Sequence, residues 1–341
     1  MERAIICPQC NAPLRPHRFA RSVVCSYCGT TVQLDEDSVS AALFHDAYNR
    51  WNSPQTYGIS SWSSIRDNHW ELDECIAHGD ISDVYIGRRA RWPTQLVIIK
   101  LLRELRDLDS FNNEWDILQT LQASEAHGAD AFTALIPQPI LHGPITGGSH
   151  IGKQTSIFHW SNGFYYTFEE VREAYPQGVP PRASIWIWRR ILEILSFIHS
   201  SGLVHGAVLP SHLIIQENEH GVRLVGYSNA GHPGEKLRSV FSKFQAFYPE
   251  KLQSASVLSI AVDLSMSARC VVAMLGGNPR NATVPDSVPA SLASLIRRIA
   301  FLDPSAKLQE GAWALRDELG NIANKEFGSP KFVPILMPSR V

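Results

Sequence analysis

Four of the six cysteines in the chain lie within its first 28 residues. They form two pairs, Cys7 with Cys10 and Cys25 with Cys28, each with two residues between its members. Such a turn points two sulfur atoms at one ion, so two turns complete a tetrahedron of four thiolates around Zn²⁺. Because this arrangement leaves no ligand position for a substrate, the spacing predicts a structural zinc site. Two disulfides are the alternative interpretation, which a reducing cytosol disfavours.

Short apolar stretches around the second cysteine pair are typical of strands that would position it. They lie at residues 23–24 and 32–34, and Gly29 suits a tight turn between them. Residues 1–34 resemble a zinc ribbon. The segment between the pairs is locally basic because it contains Arg15, His17, Arg18 and Arg21. This charge indicates either a nucleic-acid contact through residues 1–34 or a solvated or protein-docking loop, and the latter is favoured because four basic residues are a weak footprint for nucleic acid.

The composition bounds the class of protein. The chain has 341 residues with 44% hydrophobic and 19% charged residues, which is typical of folded globular domains. Its formal charge of −2 excludes a basic field over the whole chain. The N-terminus lacks the pattern of a secretory signal, and the long apolar stretch at 255–275 contains Asp263 and Arg269, which disfavour a membrane span. We therefore expect a cytoplasmic protein with no membrane contact.

A second group of residues with chemical potential begins near residue 72. Gly79 lies in the sequence Ala-His-Gly-Asp-Ile-Ser, Lys100 ends the apolar run Val-Ile-Ile-Lys, and Glu114 lies on a helical pattern. Further along, the sequence Leu-Val-His-Gly-Ala-Val-Leu-Pro-Ser-His at 203–212 follows a strongly apolar helical stretch. The sequence Val-Gly-Tyr-Ser comes next at 225–228.

These segments, in this order, resemble the protein kinase family over residues 72–322. The resemblance implies an α+β fold with two lobes, a β-rich small lobe and an α-helical large lobe, behind the N-terminal zinc ribbon. The predicted organisation is a ribbon at 1–34, a helical connector at 35–71, the kinase-like domain at 72–322 and an extended C-terminal tail at 323–341.

The resemblance also identifies groups that phosphoryl transfer needs and this chain lacks. Kinases use an aspartate, a lysine and an asparagine in the catalytic loop, and the matching positions are Ala207, Leu209 and His212. The metal-binding aspartate of the following turn corresponds to Gly226. Since none of these residues offers a carboxylate to Mg²⁺, we expect that ATP with Mg²⁺ does not bind.

Other groups match residues that kinases retain. Lys100, Glu114 and Gly79 correspond to a residual nucleotide pocket, although a structural ion pair is the favoured explanation of the lysine and glutamate. Asp263 matches the residue that anchors the backbone of the catalytic loop. The pair His205 and His212 could act on a metal or a proton, but such loop histidines are more often structural.

The leading hypothesis from the sequence is therefore a pseudokinase: a catalytically inactive scaffold, not an enzyme, that binds protein partners through its kinase-like body and its ribbon. One alternative is an atypical nucleotide-dependent transferase that uses nonstandard phosphoryl or nucleotidyl chemistry. A second alternative is a protein whose ribbon binds nucleic acid or the transcription machinery.

Overall fold

The computed structural model of the chain describes residues 5–6, 10, 12–14, 22–28, 31–33, 61–65, 68–79, 81–89, 95–217, 220–249, 257–306 and 311–338. Within these ranges an antiparallel sheet is followed by a helical lobe. The predicted α+β class with a β-rich small lobe and an α-helical large lobe is confirmed.

Two short hairpins form the N-terminal segment. Strands β1 (Ile5–Ile6) and β2 (Pro13–Leu14) pair in one hairpin, and β3 (Ser22–Val24) and β4 (Thr31–Gln33) pair in the other. The strand pairing of the second hairpin follows the valine-rich stretches on either side of the second cysteine pair.

The small lobe is built on a seven-stranded antiparallel sheet with the order β10-β5-β6-β7-β8-β11-β9. Its strands are β5 (Ser61–Ile65), β6 (Asn68–His78), β7 (Ser82–Arg89), β8 (Leu96–Leu102), β9 (Pro139–Pro144), β10 (Gly147–Gly148) and β11 (Gln154–His159). In β8, Val97, Ile99 and Leu101 are buried on one face of the sheet. Because side chains alternate along a strand, Lys100 points to the opposite face.

Helix α1 (Leu108–Gln122) packs across the small lobe. A short helix, α2 (Ala129–Phe132), and strand β12 (Tyr166–Thr167) lead into the large lobe, where β12 pairs with β13 (Leu213–Gln216) and β13 with β14 (Gly221–Leu224). The helices of this lobe are α3 (Phe168–Ala174), α4 (Pro181–Ser200), α5 (Ile260–Met274), α6 (Ala290–Ala300) and α7 (Ala312–Phe327).

The centre of the large lobe is the contact between α4 and α5. Nearly every residue of α5 is buried, and the Trp188 indole on α4 donates a hydrogen bond to the Ser267 hydroxyl across 3.0 Å. Ser259 begins α5 because its hydroxyl accepts a hydrogen bond from the Val262 backbone N–H. Apolar burial on this scale is the main force that holds the lobe together.

The structure differs from two predicted segment boundaries. Residues 61–65 and 68–71, predicted as part of a helical connector, belong to strands because Trp70 and Leu72 alternate into the sheet core. Residues 35–60 lie outside the described ranges. The predicted extended tail begins later than 323, because α7 continues to Phe327 on its buried Leu315 and Leu319 face.

Residues 328–338 have no regular secondary structure and pack along the body of the protein. The Phe332 backbone N–H donates to the Cys10 carbonyl across 2.6 Å, so this segment contacts the N-terminal hairpins. On the other side, His220 Nε2 donates to the Val333 carbonyl across 2.7 Å, and Ile335 is 1% exposed. The tail therefore lies between the ribbon segment and the large lobe.

No helix in the described ranges has both the length and the apolarity needed to cross a lipid bilayer.

Candidate functional site

An ion pair links the small-lobe sheet to helix α1. Lys100 Nζ lies 2.7 and 2.8 Å from the two carboxylate oxygens of Glu114. Glu114 is 2% exposed, and its Oε1 also accepts a hydrogen bond from the Tyr227 backbone N–H across 3.0 Å. Burial alone would raise the pKa of Glu114, but the charge and hydrogen bond of Lys100 outweigh it and lower that pKa. The structure thus joins the two residues that the sequence placed in a residual nucleotide pocket.

The third residue of that predicted pocket, Gly79, lies in the turn between β6 and β7. Its backbone N–H donates to the Ser82 carbonyl across 2.9 Å, and its own carbonyl accepts a hydrogen bond from Arg103 across 2.6 Å. Asp83 contacts Arg103 at 3.7 Å and His78 at 2.9 Å. The contacts of Gly79 with Ser82 and of His78 with Asp83 therefore connect the two ends of the turn.

Asp263 holds the backbone of the loop at 205–212. Its two carboxylate oxygens accept hydrogen bonds from the backbone N–H groups of His205 and Gly206, each across 2.8 Å, and a third from His199 Nε2 across 3.0 Å. Asp263 is 0% exposed. A buried carboxylate with three donors fixes the loop in one conformation.

The positions where kinases have a catalytic aspartate and lysine are apolar and buried. Ala207 and Leu209 are each 0% exposed. Neither side chain can accept a proton or bind a phosphate, so the structure offers no general base at Ala207.

His212 occupies the space beside Gly226. Its Nδ1 donates to the Ala207 carbonyl across 2.8 Å, which leaves the lone pair of the neutral imidazole on Nε2. Gly226 has a φ of 81°, and a Cβ built there would lie 2.7 Å from the His212 ring. A carboxylate at this position does not fit, so Mg²⁺ does not fit the usual kinase positions here.

Two contacts between the lobes were not foreseen from the sequence. The Asn113 amide on α1 donates to the carbonyls of Ser228 and Ala230 across 3.2 and 2.8 Å. The Arg238 guanidinium donates to the Asn113 amide oxygen across 2.9 Å. The sequence signal for these contacts is the polar residue Asn113 directly before Glu114. A solvent-exposed helical residue gives the same signal, so the contacts could not be predicted from it.

His205 lies in the core of the loop rather than in a metal site with His212. Its ring packs edge-on against the Tyr227 ring at 4.5 Å, and its Nε2 lies 3.2 Å from the Val225 carbonyl. Burial lowers the pKa of His205 to about 4. This arrangement agrees with the structural interpretation of His205.

Three of the four predicted zinc ligands meet in the structure. The sulfur atoms of Cys10, Cys25 and Cys28 all lie within 4.8 Å of one another, and Cys7 lies outside the described residues. Cys10 and Cys25 are 3.6 Å apart at sulfur, well beyond the roughly 2.05 Å of a disulfide bond. Thiolates at this separation fit the chemistry of Zn²⁺. The basic residues Arg15, His17, Arg18 and Arg21 lie outside the described residues.

A buried histidine beside the tail gives the protein a predicted dependence of stability on pH. His220 is stacked between the rings of Trp186 at 4.1 Å and Phe332 at 3.9 Å. Burial lowers the pKa of His220 to about 3. The unfolded state, with a histidine pKa near 6.5, binds more protons than the folded state, so stability falls as the pH is lowered from about 6.5 toward 3.

We expect the free energy of unfolding to fall by up to about 1.4 kcal/mol per pH unit for this histidine between pH 6 and 4. Denaturant titrations of the wild type and His220→Phe at pH 7, 6 and 5 measure the effect. The phenylalanine keeps the ring stack and cannot gain a proton, so the variant should show a shallower pH dependence. An unchanged slope would contradict the assignment.

Comparison with proteins of known structure places the described architecture in the protein kinase fold. The BubR1 kinase domain superposes with a TM-score of 0.57 at 14% sequence identity, covering 84% of this chain and 92% of that one. In sequence, the chain is 24% identical over 157 residues to a serine/threonine-protein kinase D of Synechocystis sp.. The match covers 45% of this chain and 28% of that relative. No protein-family profile matches the chain.

These similarities correct one expectation. The departures at Ala207, Leu209, His212 and Gly226 led to the prediction that the protein is not an enzyme. Both the sequence relative and the structural neighbour are kinases, which contradicts that prediction. These four residues show how the site differs from that of typical kinases. They do not show whether the protein catalyses a reaction.

Proposed function

We propose that the protein is an atypical nucleotide-dependent transferase of the kinase fold, in which Lys100 binds the phosphates of a nucleoside triphosphate. The observation that carries the proposal is the Lys100–Glu114 ion pair, since it presents one cation at the inner face of the small lobe. The Lys100 side chain is 14% exposed, so a phosphate can approach Nζ. The kinase named as a sequence relative and the Asp263-anchored loop support the same assignment.

The transfer step must differ from that of typical kinases because Ala207 has no oxygen to accept a proton. His212 is a partly exposed titratable group of this loop, whereas His205 is buried, and the His212 tautomer places a lone pair on Nε2. We assign Nε2 the role of proton acceptor: it takes the proton of the attacking hydroxyl as that oxygen bonds to phosphorus, and the bond from phosphorus to the leaving nucleoside diphosphate or pyrophosphate breaks. Lys100 then balances charge on the transferred phosphates, as a cation does in phosphoryl transfer generally.

Thermal unfolding with and without ATP tests the binding half of this proposal. At a concentration 100 times its Kd, a ligand that binds only the folded state raises stability by about 2.7 kcal/mol. We expect a clear rise for the wild type, with or without Mg²⁺ or Mn²⁺, and none for Lys100→Met.

Lys153→Met is the matched control, because Lys153 is an exposed lysine of the same lobe and should leave the shift unchanged. If the wild type shows no shift, or if Lys100→Met shifts as far as the wild type, the cleft does not bind nucleotide through Lys100.

We also propose that Cys10, Cys25 and Cys28, with Cys7 as the fourth ligand, hold a structural Zn²⁺. The cluster of three thiols supports this assignment, and it presupposes a reducing compartment such as the cytoplasm.

Binding of protein partners through residues 1–34 is a second candidate function. Val24 on β3, whose side chain is 62% exposed, is a position at which it can be tested. The proposed partner surface is on residues 1–34, with nucleic acid as the alternative ligand of this segment. Partner capture with the wild type and with Val24→Lys tests this proposal. Equal capture by both proteins would mean that Val24 is not part of the partner surface.

A further inference from the structure

A cavity of about 250 Å³ lies where the ribbon, helix α4, helix α7 and the tail meet. It is separate from the cleft described above, since its walls include none of the residues assigned to the nucleotide. Its charged walls are formed by five cations and one carboxylate: Arg182, Arg189, Arg190, Arg316, Lys331 and Glu193. In a chain with a formal charge of −2, such a concentration of positive charge is a local feature.

The single carboxylate is already engaged. Glu193 accepts hydrogen bonds from Arg190 across 2.6 Å and from Arg316 across 2.8 Å, one on each oxygen. Arg182 donates to the Ser329 carbonyl of the tail across 2.5 Å. These pairs leave the cavity with an excess of positive charge.

Arg189 is the guanidinium that this arrangement leaves without a hydrogen-bonded carboxylate, although the charges of Glu193 and Asp317 act on it. Within the described residues no acceptor lies within hydrogen-bond distance of its side chain, which carries five N–H donors and is partly buried between α4 and α7. Burial and the neighbouring charge of Arg316 lower the pKa of Arg189. A partly desolvated cation that repels its neighbour is stabilised when an anion binds beside it.

The cavity also has apolar and aromatic lining residues. Trp186 on α4 and Phe327 at the end of α7 line it, and the Trp186 ring is held in a parallel stack with His220. Cations and aromatic rings that line one cavity suit a ligand with a charged end and a flat or apolar body. The volume is slightly below the usual range for drug-sized ligands, so the ligand must be compact.

We propose that this cavity binds a small organic phosphate monoester, with the phosphate on Arg189 and Lys331 and the organic part against Trp186 and Phe327. Guanidinium groups match the oxygens of a phosphate in paired hydrogen bonds, and Lys331 adds a second charge from the tail. Because Lys331 belongs to the tail and Arg189 to α4, the ligand bridges the two segments. The assignment does not depend on the proposed transferase activity.

Isothermal titration with adenosine monophosphate as the organic probe, and with inorganic phosphate in parallel, tests this inference at low salt. The titrations use Lys100→Met protein so that the inter-lobe cleft contributes nothing. We expect one monophosphate per chain, a weaker affinity for inorganic phosphate, and an affinity that falls as salt is added. Arg189→Gln should weaken binding of the monophosphate at least about tenfold.

Two further variants keep the test decisive. Lys331→Gln, an exposed change in the tail, should weaken binding several-fold, and Arg297→Gln on the exposed face of α6 should leave it unchanged. If Arg189→Gln is less stable than the wild type, Lys331→Gln decides the question. The inference is overturned by absence of binding, by equal affinity of the Arg189→Gln or Lys331→Gln variants and the parent, or by inorganic phosphate that binds as tightly as the monophosphate.

Discussion

Replacing Asp263 with alanine is expected to lower the free energy of unfolding by about 4 kcal/mol, because removal of one partner from a buried charged hydrogen-bond network typically costs 3–5 kcal/mol. The substitution removes the acceptor of two buried backbone N–H groups, those of His205 and Gly206, and of the His199 ring. Each of these donors is then buried without a hydrogen-bond acceptor. Denaturant unfolding at pH 7 measures the loss.

Two variants control this prediction. Asp263→Asn keeps one acceptor oxygen without the charge and should lose about half as much stability, whereas the exposed Asp286→Ala should change it by less than about 0.5 kcal/mol. A loss below about 1 kcal/mol for Asp263→Ala would mean that another group holds the loop, and the account of the site would have to change.

Removal of zinc is expected to have the second large effect. A structural Zn²⁺ contributes about 10–16 kcal/mol of binding free energy that is coupled to folding, so the ribbon should unfold without it. We expect one zinc per chain in the purified wild type, and Cys25→Ser should lose it. Metal analysis by atomic absorption, with circular dichroism before and after chelation, measures both effects.

Cys75→Ser is the matched control, since Cys75 is a thiol of the small lobe outside the cluster. It should retain the metal. Zinc that survives in Cys25→Ser, or a wild type purified without zinc, would contradict the four-thiolate site. Loss of the ribbon should also release the tail contact at Phe332, whose N–H bonds to the Cys10 carbonyl.

Short-range patterns in the sequence predicted much of the fold and part of the site. An apolar run that ends in Lys100 predicts a strand, and the periodicity around Glu114 predicts a helix, so the order of motifs was enough to indicate two lobes. The cysteine pairs predicted a cluster because ligand spacing in a turn is a local property. The sequence-based prediction was wrong at residues 61–65 and 68–71, which belong to two strands of the sheet. Serine, tryptophan and asparagine follow each other there without a clear periodicity, so the pattern did not indicate strands.

The features that could not be predicted depend on contacts between distant segments. Arg189 is one arginine of an amphipathic helix in sequence, and its lack of a hydrogen-bonded carboxylate becomes visible only when α7 and the tail lie beside it. The stack of His220 with Trp186 and Phe332 likewise joins three separate segments. The prediction that the protein is not an enzyme failed for a different reason, since it treated missing kinase residues as missing chemistry.

The central claim is that the cleft uses a nucleoside triphosphate as its substrate and holds it with Lys100. The most direct test incubates the wild type, Lys100→Met and Lys153→Met with ATP labelled at either the α or the γ phosphate and measures label transferred to protein. We predict nucleotide-dependent transfer by the wild type and the Lys153 variant and none by Lys100→Met, with the label position distinguishing nucleotidyl from phosphoryl transfer. No transfer of either label by the wild type, or equal transfer by Lys100→Met, would contradict the account.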